Sequence, residues 1–196
     1  MSHASTIFAA SADAHHSHKE RGSSVYAREL TLAVPRSVCD IYLLHQAVWE
    51  QIDASRDGKL TDPEILYRRD GGCVSVRVGA ASLKHGRSSS FAAVPGQHRR
   101  IALRCALWRD PRLYGRSPQR RLRELLNVAG FELLEHEVSF FVASGRKARI
   151  DADIQLPVAD LHGTVRVLDQ DKAHDAWRLG IGRGRRFGFG MLVMQD

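Results

Sequence analysis

The sequence has few cysteines, and none of them belongs to a CxxC pair. Cys39, Cys73 and Cys105 are widely spaced and odd in number, so the sequence supports neither a disulfide framework nor a zinc knuckle. The histidines beyond residue 24 show no metal-ligand spacing either. We therefore expect a protein of the reducing cytoplasm that uses no metal and no other cofactor.

Long apolar runs are missing as well. No stretch of about 18 or more apolar residues occurs, and no charged segment is followed by an apolar one at the N-terminus. We therefore expect neither a membrane span nor export. A Gly-x-Ser-x-Gly elbow is also absent, so Ser-His-Asp hydrolase chemistry is not supported.

Positive charge, in contrast, is abundant. The net charge is +7, the sequence pI is about 9.8, and arginine greatly outnumbers lysine. Because the planar guanidinium group matches phosphate geometry, this composition favours an anionic partner, with nucleic acid the first candidate. A ribosomal or membrane-surface protein has the same balance. The 196 residues, 43% of them hydrophobic, suffice for one large domain or two small ones with a buried core.

The first half of the chain predicts a tail followed by a small domain. Residues 1–24 are rich in Ser, Ala and His without periodicity, which is typical of a disordered tail. The next patterns predict a strand over 26–34, a helix from a Ser37/Asp40 capping box to about Ile52, and a hairpin of strands at 64–69 and 73–78. The stretch 79–97 predicts no element, so the first domain is expected to span 25–96.

The second half predicts a similar unit over 97–196. Its expected elements are a strand at 99–108, a helix between Ser117-Pro118 and Gly130, strands at 131–142 and 148–156 around a turn at Ser144-Gly145, a strand at 164–168, a helix at 169–179 and a strand at 187–194. Both units approach the ferredoxin-like order of strands and helices. The predicted fold class is therefore α+β, with two tandem ferredoxin-like (RRM-like) domains and a C-terminal glycine-rich loop.

The glycine-rich loop is the sharpest local feature. The segment 180–190 holds five glycines and three arginines in eleven residues. Such a loop lets amide and guanidinium groups approach phosphates closely, although it matches neither the dinucleotide fingerprint nor a phosphate loop. Its candidate phosphate-binding residues are Gly180, Gly182, Arg183, Gly184, Arg185 and Arg186. The alternative is that the glycines serve a bulged terminal strand.

A basic run precedes it. Nine arginines lie between Arg99 and Arg123, against the single acid Asp110. Arg116, Arg120 and Arg123 follow the i, i+4, i+7 spacing of one helical face, and like charges so placed favour a bound anion. With Arg121, they are the second set of candidate phosphate-binding residues. The alternative is a solvated helix face.

A third segment is Asp40-Ile-Tyr-Leu-Leu-His-Gln-Ala-Val-Trp49. Tyr42, His45 and Trp49 follow the i, i+3, i+7 spacing beside the predicted apolar stripe and not within it. A histidine on such a face is more often structural than catalytic, so the pattern leaves both roles open.

Two of these segments resemble a known family. The ending Leu179–Leu192 resembles the C-terminal signature of the RAMP-type CRISPR repeat endoribonucleases, especially the CasE type of the type I-E Cascade system or a divergent type IV relative. The segment Asp40–Trp49 is similar to the first-helix motif of that family, which contains its catalytic histidine and a tyrosine three residues earlier. Both motifs occur in the family's order, and the resemblance spans about residues 25–196.

The resemblance implies a function. The family reaction is a metal-independent cleavage of precursor CRISPR RNA, in which a ribose 2′-OH attacks the adjacent phosphate and leaves a 2′,3′-cyclic phosphate. His45 would be the general base or acid, and Tyr42 would orient or stabilise the scissile phosphate. The loop arginines would bind phosphates, and the helix arginines would hold the stem.

The same resemblance implies the partners. They are the CRISPR repeat RNA hairpin and other subunits of the effector complex, with no membrane and no small-molecule substrate. A second hypothesis is a non-catalytic RNA-binding subunit of the effector complex. A third is a basic ribosomal-type protein that binds RNA without preference for a hairpin.

Overall fold

The computed structural model describes residues 23–54, 65–79, 85–108, 117–147 and 152–195. The predicted disordered tail lies outside the described residues, except for its last two positions. The strands are β1 (Ser24–Ala33), β2 (Ile65–Asp70), β3 (Cys73–Gly79), β4 (Arg87–Ala92), β5 (His98–Ala106), β6 (Phe131–Lys147), β7 (Ala152–Val167) and β8 (Leu192–Met194). The helices are α1 (Ile41–Asp53), α2 (Pro118–Val128) and α3 (Gln170–Leu179).

The first four strands form one antiparallel sheet in the order β2-β3-β1-β4. This is the strand order of a ferredoxin-like unit. The buried side chains Leu44, Val48 and Ile52 of α1 recur at helical spacing and pack against one face of the sheet. Of the connection between β3 and β4 only residues 85 and 86 are described, so α1 is the one helix assigned to this unit.

The other four strands form a second antiparallel sheet in the order β6-β7-β5-β8. With α2 between β5 and β6, and α3 between β7 and β8, this unit has the complete βαββαβ order. The predicted fold class, α+β with tandem ferredoxin-like units, is therefore confirmed.

The two sheets share a continuous apolar core. Ala27 and Phe91 of the first sheet pack with Trp177 of α3, which lies over the face opposite α1. The strands of the first sheet precede residue 96 and those of the second follow it, but side chains from both sheets contribute to this core. The exact domain bounds, 25–96 and 97–196, stay a prediction.

Several local predictions are wrong. Asp40, not Ser37, caps α1: its carboxylate accepts the backbone N–H groups of Tyr42 and Leu43. No turn occurs at Ser144-Gly145, because β6 continues to Lys147. Gly145 instead lies against α1, where a Cβ atom would come within 2.7 Å of Ile41 Cγ1. This glycine is needed for close approach and not for chain reversal.

Strand boundaries differ in three further places. The segment 79–97, expected to be irregular, contains β4, whose polar sequence RSSSFA hides its strand character. From residue 152 onward, the two strands predicted between 148 and 168 are one strand, β7, and residues 148–151 lie outside the described residues. The strand predicted over 187–194 is limited to β8, because a single turn of 3-10 helix, Arg185–Phe187, and further loop precede it.

Candidate active site and nucleic-acid interface

The candidate catalytic residues lie on α1. Tyr42, His45 and Trp49 are half-buried along the edge of its apolar stripe, as their spacing predicts. The His45 ring centroid lies 6.4 Å from that of Tyr42 and 6.0 Å from that of Trp49, which it meets edge-on. Tyr42 and His45 are therefore neighbours on one helical face.

The glycine-rich loop meets this face. The ring of Phe187, in the 3-10 turn, lies 5.9 Å from the His45 ring in an edge-on contact. The guanidinium carbon of Arg186 lies 5.1 Å from the centroid of the Phe187 ring, and the Arg186 side chain is exposed. Two motifs from opposite ends of the described chain thus form one site.

The loop itself has the backbone that its composition predicts. All five of its glycines have positive φ angles, between 73° and 92°. At Gly190 a Cβ atom would lie 2.4 Å from the carbonyl oxygen of Ile181, so only glycine fits where the loop folds back on itself. The N–H of Ile181 donates to the Gly190 carbonyl at 2.8 Å, which closes this fold.

The three loop arginines have different surroundings. Arg183 and Arg186 are exposed, and both are available to an anion at the surface. Arg185 is half-buried and donates to the backbone carbonyl of Leu179 at 2.7 Å. Arg185 therefore holds the loop closed in this structure.

The second candidate set lies on α2, apart from Arg116, which is outside the described residues. Ser117 caps the helix by accepting the Arg120 N–H, as predicted. Arg120 is exposed and pairs with Glu124 at 3.1 Å, and Arg121 pairs with the same carboxylate at 3.3 Å. Hydrogen bonds from Arg121 and Arg120 lower the pKa of Glu124. Glu124 lies one residue beyond the basic run that ends at Arg123, so the composition of that run does not reveal this counter-charge.

Arg123 completes the described part of that set. It is exposed, and its guanidinium reaches the Leu133 carbonyl at 3.4 Å. Arg120 and Arg121 also line a cleft of about 480 Å³ together with Trp108, an aromatic residue that the sequence argument did not select. Trp108 is partly buried against the apolar core, so the cleft combines arginines with part of an aromatic surface, a combination that suits nucleic acid.

One arginine of the basic run has a different role. Arg104 donates to Asp160 through two guanidinium nitrogens and to the Arg69 carbonyl at 2.9 Å. Arg68 of β2, which is buried, reaches the same carboxylate at 3.4 Å. Arg104 thus joins the two sheets. Its charge is neutralised within the protein, so Arg104 does not contribute to the anion-binding surface that the basic run predicts.

A second cleft adjoins the site. It has a volume of about 470 Å³ and lies between α1, the far end of β6 and the 3-10 turn. Its walls include Leu44, Phe141, Phe187 and Phe189. Asp40 lines it as well, and accepts the Arg146 N–H with Oδ2, which ties β6 to the N-terminus of α1. Sequence patterns did not point to this contact, because its partners are far apart in the chain.

The described residues contain no group of three or more His, Cys, Asp or Glu side chains placed to hold a metal ion. Within the same residues, no helix has the length and apolar character needed to cross a membrane.

Residues 113–195 match the family described as "CRISPR associated protein". No curated protein sequence matches the chain significantly.

Solved structures share the fold over most of the chain. CRISPR endoribonuclease Cse3 bound to 19 nt RNA has a TM-score of 0.62 at 17% identity, covering 89% of this chain and 100% of the other. Cse3 of Thermus thermophilus, bound to an RNA representing a pre-cleavage complex, has 0.61 at 19% identity, covering 88% and 100%. Cas6e of Escherichia coli K-12 has 0.57 at 16% identity, covering 87% and 99%.

These TM-scores establish a common fold, and the family match covers the C-terminal unit from residue 113, after β5. The resemblance inferred from the two motifs is therefore confirmed. The chain thus matches the CRISPR-associated protein family over residues 113–195, and it shares the fold of Cse3 and Cas6e over most of its length.

Proposed function

We propose that this protein is a metal-independent endoribonuclease that binds the CRISPR repeat hairpin, cleaves precursor CRISPR RNA and stays bound as a subunit of the effector complex. The observation that carries the proposal is the meeting of His45 and Tyr42 with the arginine-bearing loop at Phe187. The same Phe187 ring contacts His45, which can transfer protons, and Arg186, whose exposed guanidinium can hold a phosphate. The cytoplasm, where the three free cysteines stay reduced, is the expected compartment.

The proposed reaction needs only groups of this type. A ribose 2′-OH attacks the adjacent phosphorus and gives up its proton, the bond to the 5′-oxygen breaks, and that oxygen takes up a proton. The products are a 2′,3′-cyclic phosphate and a 5′-OH. An imidazole such as His45 can accept or donate a proton near neutral pH. Tyr42 orients the scissile phosphate, and Arg186 and Arg183 balance its charge.

The comparisons support the same activity. One matched structure is described as CRISPR endoribonuclease Cse3 bound to RNA, and another as Cse3 bound to an RNA that represents a pre-cleavage complex. The αβ scaffold that positions α1 against the loop covers nearly the whole of those chains.

A second candidate function is a non-cleaving RNA-binding subunit. It is favoured by the enclosure of His45, which is half-buried among the rings of Tyr42, Trp49 and Phe187. A histidine so packed can have a structural role. A matched structure described as a CRISPR RNA-guided surveillance complex, at a TM-score of 0.58 and 17% identity, is compatible with this function.

Cleavage of the repeat RNA from the same CRISPR locus, in EDTA, separates the two functions. The wild-type protein is expected to cleave it, and His45→Ala to lose about 10²- to 10⁴-fold in rate, the scale of a positioned proton-transfer group. Hairpin affinity should stay within about a few-fold, because general acid-base work contributes to the transition state only. His162→Ala, which removes an exposed imidazole from β7, is the matched control.

A 2′-deoxy substitution at the cleaved nucleotide should stop the wild-type reaction, since it removes the nucleophile. Cleavage that requires Mg²⁺ and survives this substitution would contradict the proposed chemistry. Wild-type rates for His45→Ala would leave His45 a structural residue.

A further inference from the structure

Tyr67 joins the first sheet to the glycine-rich loop. It lies on β2, is fully buried, and packs its ring among the apolar side chains between α1 and the sheet. Its hydroxyl donates to the backbone carbonyl of Arg186 at 2.6 Å, across 119 residues of sequence. A phenol buried in an apolar core normally requires such a partner, because a buried hydroxyl without one costs free energy.

The loop also rests on the ring itself. At Gly188 a Cβ atom would lie 2.7 Å from Tyr67 Cε2, so the backbone there is in direct contact with the aromatic ring. The 3-10 turn is closed by the Phe187 N–H, which donates to the Gly184 carbonyl at 2.8 Å. Tyr67 therefore fixes the chain immediately before and immediately after Phe187, the residue that contacts His45.

We propose that Tyr67 is a positioning residue for the candidate site. By holding the Arg186 carbonyl and the Gly188 backbone, it sets the angle at which the Phe187 ring meets the His45 imidazole. It also sets the direction in which the Arg186 guanidinium leaves the turn. This inference rests on the proposed function, since positioning matters for catalysis only if His45 is catalytic.

The alternative is a purely structural hydrogen bond, which would stabilise the fold without affecting the site. The two roles differ in what Tyr67→Phe changes. This variant keeps the ring, and with it the core packing and the contact to Gly188, and removes only the hydroxyl. A positioning role requires that the reaction slows while the folded protein binds RNA normally.

The test measures single-turnover cleavage of the repeat RNA at saturating protein. Tyr67→Phe should reduce the rate constant about 10- to 100-fold, the effect expected of a small misplacement of reacting groups. The protein concentration for half-saturation should stay within about two-fold. Tyr26→Phe removes a phenol hydroxyl from a side chain on β1 that is 65% exposed, and should leave both quantities unchanged.

A second variant reaches the same contact from the loop. Gly188→Ala keeps the Tyr67 hydroxyl but places a methyl group against its ring, at a φ of +83° that favours glycine. The turn must then move away from β2, and the rate constant should fall at least as far as in Tyr67→Phe.

An NMR measurement decides the proposal without relying on cleavage. The imidazole signals of His45 carry a ring-current shift from Phe187, and they should move in Tyr67→Phe. The signals of His174, which lies edge-on to Phe91 on the opposite face of the first sheet, are the internal control and should stay in place. Unmoved His45 signals, or an unchanged rate constant in a wild type that cleaves, would overturn the positioning role. If the wild type does not cleave, the proposed function fails, and the His45 shift alone decides whether Tyr67 orients this face.

Discussion

The two faces of the first sheet are built in different ways. The face toward α1 is apolar and includes Ile65, Tyr67 and Val76, packed against the stripe of the helix that carries His45. The opposite face carries two buried arginines, Arg68 and Arg77, and lies against the second unit. Apart from the Tyr67 hydroxyl, the apolar face depends on side-chain volume, whereas the arginine face depends on the direction of each donor.

Arg77 illustrates that dependence. One guanidinium nitrogen donates to the Trp177 and Leu192 carbonyls, both at 2.9 Å, and another pairs with Glu29 at 2.7 Å. The group also stacks on the Trp177 ring at 4.0 Å. Because these acceptors lie on α3 and β8, the arginine specifies how the second unit docks, which an apolar contact would leave less defined.

The largest expected effect comes from the apolar face. Ile52→Ala removes a fully buried side chain between α1 and the sheet, and should lower the free energy of unfolding by about 2–5 kcal/mol. Urea denaturation followed by circular dichroism measures this. Val128→Ala, at an α2 side chain that is 77% exposed, should change it by less than about 0.5 kcal/mol. Equal effects of the two would contradict the assigned burial.

Arg77→Met tests the other face and should cost somewhat less, about 2–3 kcal/mol. Removal of one partner of a buried pair leaves carbonyls without a donor, but Glu29 is partly exposed and water can replace part of its pairing. Burial lowers the pKa of Arg77 below its ordinary value, and the charge and hydrogen bond of Glu29 offset part of that shift. Arg178→Met, on the exposed side of α3, is the control and should leave the melting temperature nearly unchanged.

The same contrast explains what could be predicted from the sequence. The α1 stripe, the hairpin turn at Gly71 and the cap at Ser117 follow from local periodicity and turn chemistry, and they were predicted. The role of Arg104 depends on Asp160, which becomes its neighbour only when β5 pairs with β7. No local pattern distinguishes such an arginine from one that binds an anion.

The candidate site also has some features that the sequence predicts and others that it does not. Tyr42 and His45 are recognisable because they share a helix, and the loop because its glycines are contiguous. Their meeting at Phe187, and the support of the turn by Tyr67, are long-range contacts that only the fold reveals.

Asp40→Asn, at the N-terminus of α1, should have a smaller effect and lower the free energy of unfolding by about 1 kcal/mol. One carboxylate oxygen caps α1, and the other accepts the Arg146 N–H at 2.7 Å, a contact that the amide NH₂ of asparagine cannot replace. Thermal denaturation at neutral pH measures the loss. Asp53→Asn, exposed at the other end of α1, is the control.

The Asp40 effect should depend on pH in a defined direction. Partial burial raises the pKa of Asp40, but hydrogen bonds from the Leu43, Arg146 and Tyr42 N–H groups outweigh it and lower the value below the ordinary 3.8. A lowered folded-state pKa gives stability that is present above the unfolded value and is lost as the pH falls through the folded value. The difference between wild type and Asp40→Asn should therefore shrink below about pH 3.8. A difference that grows on acidification would contradict this assignment.

The smallest effect on stability, and a distinct effect on binding, is expected for arginines outside both faces of the first sheet. Arg120 and Arg123 are exposed on α2, so Arg120→Gln/Arg123→Gln should leave the melting temperature nearly unchanged. If each contacts one phosphate of the hairpin, the slope of log affinity against log salt should become shallower by about 1.5, since each contact contributes about 0.7–0.9. Arg178→Gln, an exposed arginine of α3, should leave the slope as it is.

Glu124→Gln sharpens this last prediction, because it removes a carboxylate that competes with RNA for the arginines of α2. Glu124 pairs with Arg120 and Arg121, and an RNA phosphate must compete with it for both. Its neutralisation should therefore raise hairpin affinity, most clearly at low salt, where charge interactions are screened least. If the α2 arginines are merely a solvated face, neither Glu124→Gln nor the double arginine variant will change affinity or its salt slope. The established role of arginine in this fold would then be a structural one, as at buried Arg77. The RNA would have to be bound by the glycine-rich loop alone.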